Sequence, residues 1–107
     1  MPFYLMQIGY KDAAAKTMIA NPQRREDVMH RAITSLGGKL HAFYFCFGDY
    51  DIAAIAEFDD NPSAAGFALA STAGGAIARF HTTTLLTPGE AEVAMHKAQK
   101  VAYTPPQ

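Results

Sequence analysis

The spacing of hydrophobic runs and of the residues that break them predicts an α+β domain in the order β-α-β-β-α-β, with one more helix at the C-terminus. Three observations carry this. Two segments begin at Asn-Pro and end at Gly-Gly, Asn21-Pro22 to Gly37-Gly38 and Asn61-Pro62 to Gly74-Gly75, as helices start and stop. Between them, the runs Leu40 to Phe47 and Ile52 to Phe58 flank Gly48-Asp49, which is hairpin turn chemistry. With 107 residues, half of them hydrophobic, the chain has material for one real core and no room for a second domain.

Phe3 to Tyr10 is apolar on both alternating faces, the pattern of a central strand covered on two sides. Asp12 is placed to cap a short helix through Ile19, and Asn21-Pro22 to restart it. Val28, Met29, Ala32, Ile33 and Leu36 then recur at helical spacing, with Arg24, Arg25, Glu26, Asp27 and Arg31 assigned to the other side.

The strand Lys39 to Phe47 alternates Leu40, Ala42, Tyr44 and Cys46 with His41, Phe43, Phe45 and Phe47, so neither face is built for water. Ile52 to Ala56 repeats the pattern after the hairpin. Ala64, Ala65, Phe67, Ala68, Leu69 and Ala73 fill the next helix, whose small residues allow close packing on a sheet. Ala76 to Leu86 is a strand rich in β-branched threonine. Thr87-Pro88-Gly89-Glu90 is a complete capping box, opening a helix that runs to about Tyr103 with a stripe of Ala91, Ala94, Met95, Ala98 and Val101. Thr104 to Gln107, with two prolines, reads as a loose tail on a domain of residues 1–103.

This order is the split βαβ, or ferredoxin-like, arrangement: a four-stranded antiparallel sheet with both crossover helices on one face. Its opposite face is also hydrophobic here and needs a cover. One C-terminal helix is narrow for a whole sheet, so the expectation is a homodimer with sheets face to face, a dimeric α/β barrel. A monomer closed by the last helix is the alternative.

Nine Lys and Arg against ten Asp and Glu leave no electrostatic footprint for nucleic acid or an anionic membrane. The single Cys46 excludes an internal disulfide and suits a reducing cytoplasm as a buried apolar thiol. The N-terminus lacks the basic segment of a signal peptide, and no run is long enough to span a bilayer.

Candidate chemistry is sparse. Asp49, Tyr50 and Asp51 set two carboxylates and a phenol beside the hairpin, as acid, base or ligand anchors, or simply as residues that pin the turn through backbone hydrogen bonds. Arg79 and His81 share a strand face. With His41, and with Tyr4 or Tyr44 nearby, they form the best candidates for a pocket that binds an anionic ligand or supplies an acid/base pair. His30, His41, His81 and His96 share no short ligand spacing, so no metal site is expected. No fingerprint for a nucleotide, no nucleophile elbow and no redox Cys pair calls for a cofactor.

The first strand, the helix restarted at a proline, Leu36-Gly37-Gly38-Lys39, Ala42-Phe43-Tyr44 and the Gly48-Asp49-Tyr50-Asp51 hairpin together resemble the GYD domain family over most of Tyr4 to Thr87. The naming Gly, Tyr and Asp map onto Gly48, Tyr50 and Asp51. The family is similar to the dimeric α/β-barrel superfamily, which includes ligand-binding regulators and small oxygenases. The resemblance thus implies the fold, self-association and a small-molecule ligand. The expected function is a small homo-oligomeric domain that binds a small molecule or serves as an accessory module. The alternative is a cofactor-independent or haem-dependent oxygenase or isomerase using His81 or His41 with Asp51, Tyr50 or another tyrosine. A third possibility is a module that only assembles a larger complex.

Overall fold

A computed structural model describes all 107 residues. Strand β1, Phe3–Tyr10, lies inside the sheet, and its even positions Tyr4, Met6 and Ile8 are buried against the helices. The crossover that follows is two helices, α1 (Asp12–Ala20) and α2 (Arg25–Ser35). Then come β2 (Lys39–Phe45), β3 (Ile52–Glu57), α3 (Asn61–Ala73), β4 (Ile77–Leu85) and α4 (Pro88–Ala98). The sheet is antiparallel throughout, in the order β2-β3-β1-β4, so the fold is the expected ferredoxin-like α+β arrangement.

Its core lies on one side of the sheet. Tyr4, Met6, Ile8, Ile52, Ala54 and Ala56 rise from β1 and β3 to meet Met29 and Ile33 of α2 and Ala64 and Phe67 of α3, with Phe58 beside them. Alanines at 54 and 56 let the helices approach closely, while the bulk comes from the aromatics and Met6.

The helix termini show what the sequence encoded and where tertiary context intervened. Leu36, Gly37 and Gly38 close α2 with a Schellman motif, in which the Gly38 N–H donates to the Ile33 carbonyl and the Gly37 N–H to that of Thr34, both at 3.0 Å. Gly37 has the left-handed φ of 76° that this cap requires, and a Cβ on Gly38 would lie 2.7 Å from the Glu57 carbonyl oxygen. Asn21-Pro22, by contrast, does not start α2. The Asn21 N–H closes α1 on the Thr17 carbonyl, and the helix resumes only at Arg25. In α3 the cap is Asp60, whose Oδ1 accepts the Ser63 N–H at 2.8 Å; hydrogen bonding to Ser63, from its side chain first and then its backbone, holds the Asp60 carboxyl below its ordinary pKa. Asn61 is thereby free to accept the buried Tyr4 hydroxyl at 2.5 Å. Burial, followed by the nearby Asp60 charge, pushes the Tyr4 pKa up and keeps the phenol a donor.

Strand β2 departs from simple alternation. Its register with β3 shifts between Leu40 and Ala42, so one extra residue is accommodated at His41. Beyond this bulge Phe43 pairs with Ala54 and Phe45 with Ile52, which places both phenylalanines on the helix side. Tyr44 falls on the open face instead. The expected grouping of His41 with Phe43 and Phe45 on one face is corrected accordingly, and β2 ends at Phe45 rather than Phe47.

Helix α4 carries the predicted capping box, with Thr87 and Glu90 bonding reciprocally at 3.1 and 3.0 Å. It buries no residue and packs against no other element to any extent. The chain's radius of gyration is 17.1 Å against about 13 Å for a compact domain of this length, which fits an arm that projects from the body. The alternative in which this helix closes the sheet as a lid is thus not what the fold adopts.

Candidate functional site

The Gly48-Asp49-Tyr50-Asp51 hairpin is pinned from three directions. Cys46 N–H donates to the Asp51 carbonyl at 2.9 Å, which closes a loop wider than a two-residue turn, and Gly48 supplies a φ of 132° within it. Asp51 N–H donates to the Ile8 carbonyl at 2.8 Å, and its Oδ2 accepts the Tyr10 N–H at 2.8 Å. That carboxylate satisfies the Tyr10 backbone donor beyond the last β1–β3 pair, Ile8 with Ile52, and it stands where the β1–β4 register shifts between Gly9 and Tyr10.

Arg79 crosses from β4 over Gly9, where a Cβ would sit 2.5 Å from its guanidinium carbon. Its Nε donates to the Asp49 carbonyl at 2.8 Å, joined by one terminal nitrogen, and its guanidinium lies 5.5 Å from the Tyr50 ring centroid. Tyr50, Asp51 and Arg79 therefore form a structural lock on the hairpin, in which Asp51 and Arg79 bond backbone and the Tyr50 ring packs against the guanidinium.

The remaining sequence candidates do not converge on one pocket. Tyr4 is buried on the helix side. His81 pairs with Gln7 and stands exposed on the open face, which also carries Arg79 and Tyr44. His41 lies at the far end of the same face, stacked on Phe3 at a centroid distance of 4.9 Å with its Nε2 2.8 Å from Glu57 Oε1. Nowhere do three His, Cys, Asp or Glu side chains gather in a way that would hold a metal ion.

A concavity lies elsewhere, between the helices. Helix α2 packs on β2 and α3 on β4, so the two helices stand apart over the middle of the sheet. The gap is a cleft of about 480 Å³, in the range of small-molecule sites. Ile8, Ile52, Met29 and Phe67 form its apolar floor; Val28, Ala32 and Leu36 on one side face Gly66, Ala70 and Gly74 on the other, with Phe43, Tyr10 and Ile77 at the rim. Polar side chains are few: Arg25, Ser35, Ser71 and the Tyr10 hydroxyl. None of the candidate residues picked out in the sequence lines it. Arg25, grouped in the sequence with the charged solvent side, stands three, four, seven and eleven residues before Val28, Met29, Ala32 and Leu36, and so lies on their stripe.

A solved structure shares this architecture. MtbAldR superposes with a TM-score of 0.55 at 15% identity, covering 80% of this chain and 52% of its own; this chain thus spans about half its length. A NIPSNAP-like domain protein from Burkholderia xenovorans gives a TM-score of 0.48 at 12% identity over 98% of this chain and 89% of that one. No curated protein matches the chain in sequence. The model of the GYD domain matches residues 4–95, from the first buried tyrosine of β1 through most of α4 and across the locked hairpin, and the chain belongs to the GYD domain family.

Proposed function

We propose that the protein is a small self-associating binding domain that holds a small organic molecule in the cleft between α2 and α3 and performs no chemistry on it. The observation that carries this is the cleft itself, a 480 Å³ apolar concavity between sheet and helices, whereas Asp51 and Arg79 beside the hairpin are committed to backbone. Self-association is supported by the open sheet face, where Phe3, Leu5, Ala53 and Ile55 remain half-exposed, and by the failure of α4 to cover them. Cytoplasmic placement rests on the unpaired Cys46; no helix is long and apolar enough to cross a membrane.

The test is a thermal-shift screen of small apolar compounds against the wild type and Gly66→Leu. Gly66 lines the cleft, and a Cβ at this position meets nothing within 4 Å, so there is room for a larger residue to grow from it. Compounds that stabilise the wild type by mass action are expected to lose their effect in the variant. Stabilisation that survives the filling of the cleft would refute the site.

One observation favours the oxygenase or isomerase reading: the imidazole of His41 is oriented by a largely buried Glu57 carboxylate, as a general base would be. It lies on the opposite face of the sheet from the cleft. A turnover lost in His41→Ala and Glu57→Gln but retained in Gly66→Leu would support that reading over the first.

A further inference from the structure

We infer that the ligand of the α2–α3 cleft is an amphiphilic anion, an apolar body bearing one carboxylate or similar acidic group that pairs with Arg25. The inference rests on the cleft being the binding site. Arg25 is the only charged side chain that lines it, at the edge of an otherwise apolar surface. Its neighbour Arg24 is occupied by Glu26 and Asp27 at 3.7 and 3.5 Å, whereas Arg25 faces no carboxylate and bonds only the neutral Gln23 amide oxygen at 3.1 Å.

A guanidinium at the cleft edge without a counter-ion offers two parallel donors to a carboxylate. Its position in the first turn of α2 adds the positive end of the helix dipole to the same spot. No acidic side chain lines the cleft, so a cationic ligand would find no partner, and a neutral one would leave Arg25 unpaired. The wall residues of α2, from Arg25 to Leu36, span eleven residue steps, or roughly 16 Å of helix. The apolar body therefore lies along α2 from its acidic end.

Octanoate and octan-1-ol share a chain and differ in the charged group, so calorimetric titration of both into the full-length protein isolates the role of Arg25. The expected result is saturable octanoate binding at the cleft, at least about tenfold tighter than octanol, with the preference abolished in Arg25→Gln and octanol binding unchanged. In Gly66→Leu both ligands should fail. Equal affinity for the two in the wild type, or a preference that persists in Arg25→Gln, would overturn the anion assignment while leaving the cleft intact. Binding of either compound undiminished in Gly66→Leu, or of neither to the wild type, would overturn the cleft and the anion assignment together. Far-ultraviolet circular dichroism of each variant establishes that it is folded before its binding is compared.

Discussion

Asp51 holds Tyr10: its Oδ2 accepts the Tyr10 backbone N–H at 2.8 Å, at the point where the β1–β4 ladder loses its register. The same Tyr10 lines the cleft, so the hairpin and the cleft share a residue. Asp51→Ala leaves that N–H without its acceptor and should cost about 1–3 kcal/mol in chemical denaturation. Asp51→Asn, which still offers an oxygen, should recover most of the loss. Equal stability of Asp51→Ala and wild type would show that the carboxylate does not pin the strand.

Gly9 and Arg79 are coupled by contact. A methyl group at position 9 must displace the guanidinium from the Asp49 carbonyl and the Tyr50 ring. Gly9→Ala is expected to destabilise the wild type by about 1 kcal/mol and to have little effect in an Arg79→Ala background. Additive losses in that double-mutant cycle would mean that the two sites act independently.

The bulge at His41 turns Phe43 to the face opposite Leu5. Phe43 faces the helices, so Phe43→Asp should lower stability by about 2 kcal/mol and leave subunit number unchanged. Leu5 faces the open side, so Leu5→Asp should yield a folded monomer by light scattering. A monomeric Phe43→Asp that keeps its stability, or an oligomeric Leu5→Asp, would reverse the assignment of the faces.

The capping box of α4 should melt in acid. Hydrogen bonding to Thr87, from its backbone first and then its side chain, holds the Glu90 carboxyl below its ordinary pKa. A depressed carboxylate pKa favours the fold above the unfolded-state value of about 4.3, and this contribution disappears as pH falls through the folded value. Because α4 packs on nothing else to any extent, the effect should stay local. Amide exchange at Ala91 to Ala94 should quicken between about pH 5 and pH 3 in the wild type and be insensitive to pH-driven uncapping in Glu90→Gln. A wild type and variant with the same pH dependence would refute it.

Element order was legible because its signals are local. Gly37-Gly38, the hairpin at Gly48-Asp49 and the Thr87 to Glu90 box depend on residues within a few positions of one another, and each stands where expected. The bulge at His41 was not legible, since an extra residue in an all-apolar strand leaves alternation looking intact while it exchanges the faces beyond it. Asn21-Pro22 misled because the same Asn that can open one helix was used to close another. The cleft escaped because it is defined by the separation of α2 and α3, a tertiary distance, and because the charge of Arg25 groups it with the solvent side although its spacing sets it on the apolar stripe. Asp51 and Arg79, which suggest chemistry in a sequence, bond backbone groups 41 and 30 residues away, partnerships that no local pattern encodes.

Arg79 follows Asp49 by 30 residues. During synthesis the hairpin therefore leaves the ribosome with β3, while the strand that carries its clamp is still to be made. Until β4 docks on β1, the loop between Cys46 and Asp51 is held only by its own pairing and by Asp51. The local signature that marks this family in sequence is thus among the last parts of the molecule to acquire its final shape, and a nascent chain stalled before residue 79 would display it unfastened.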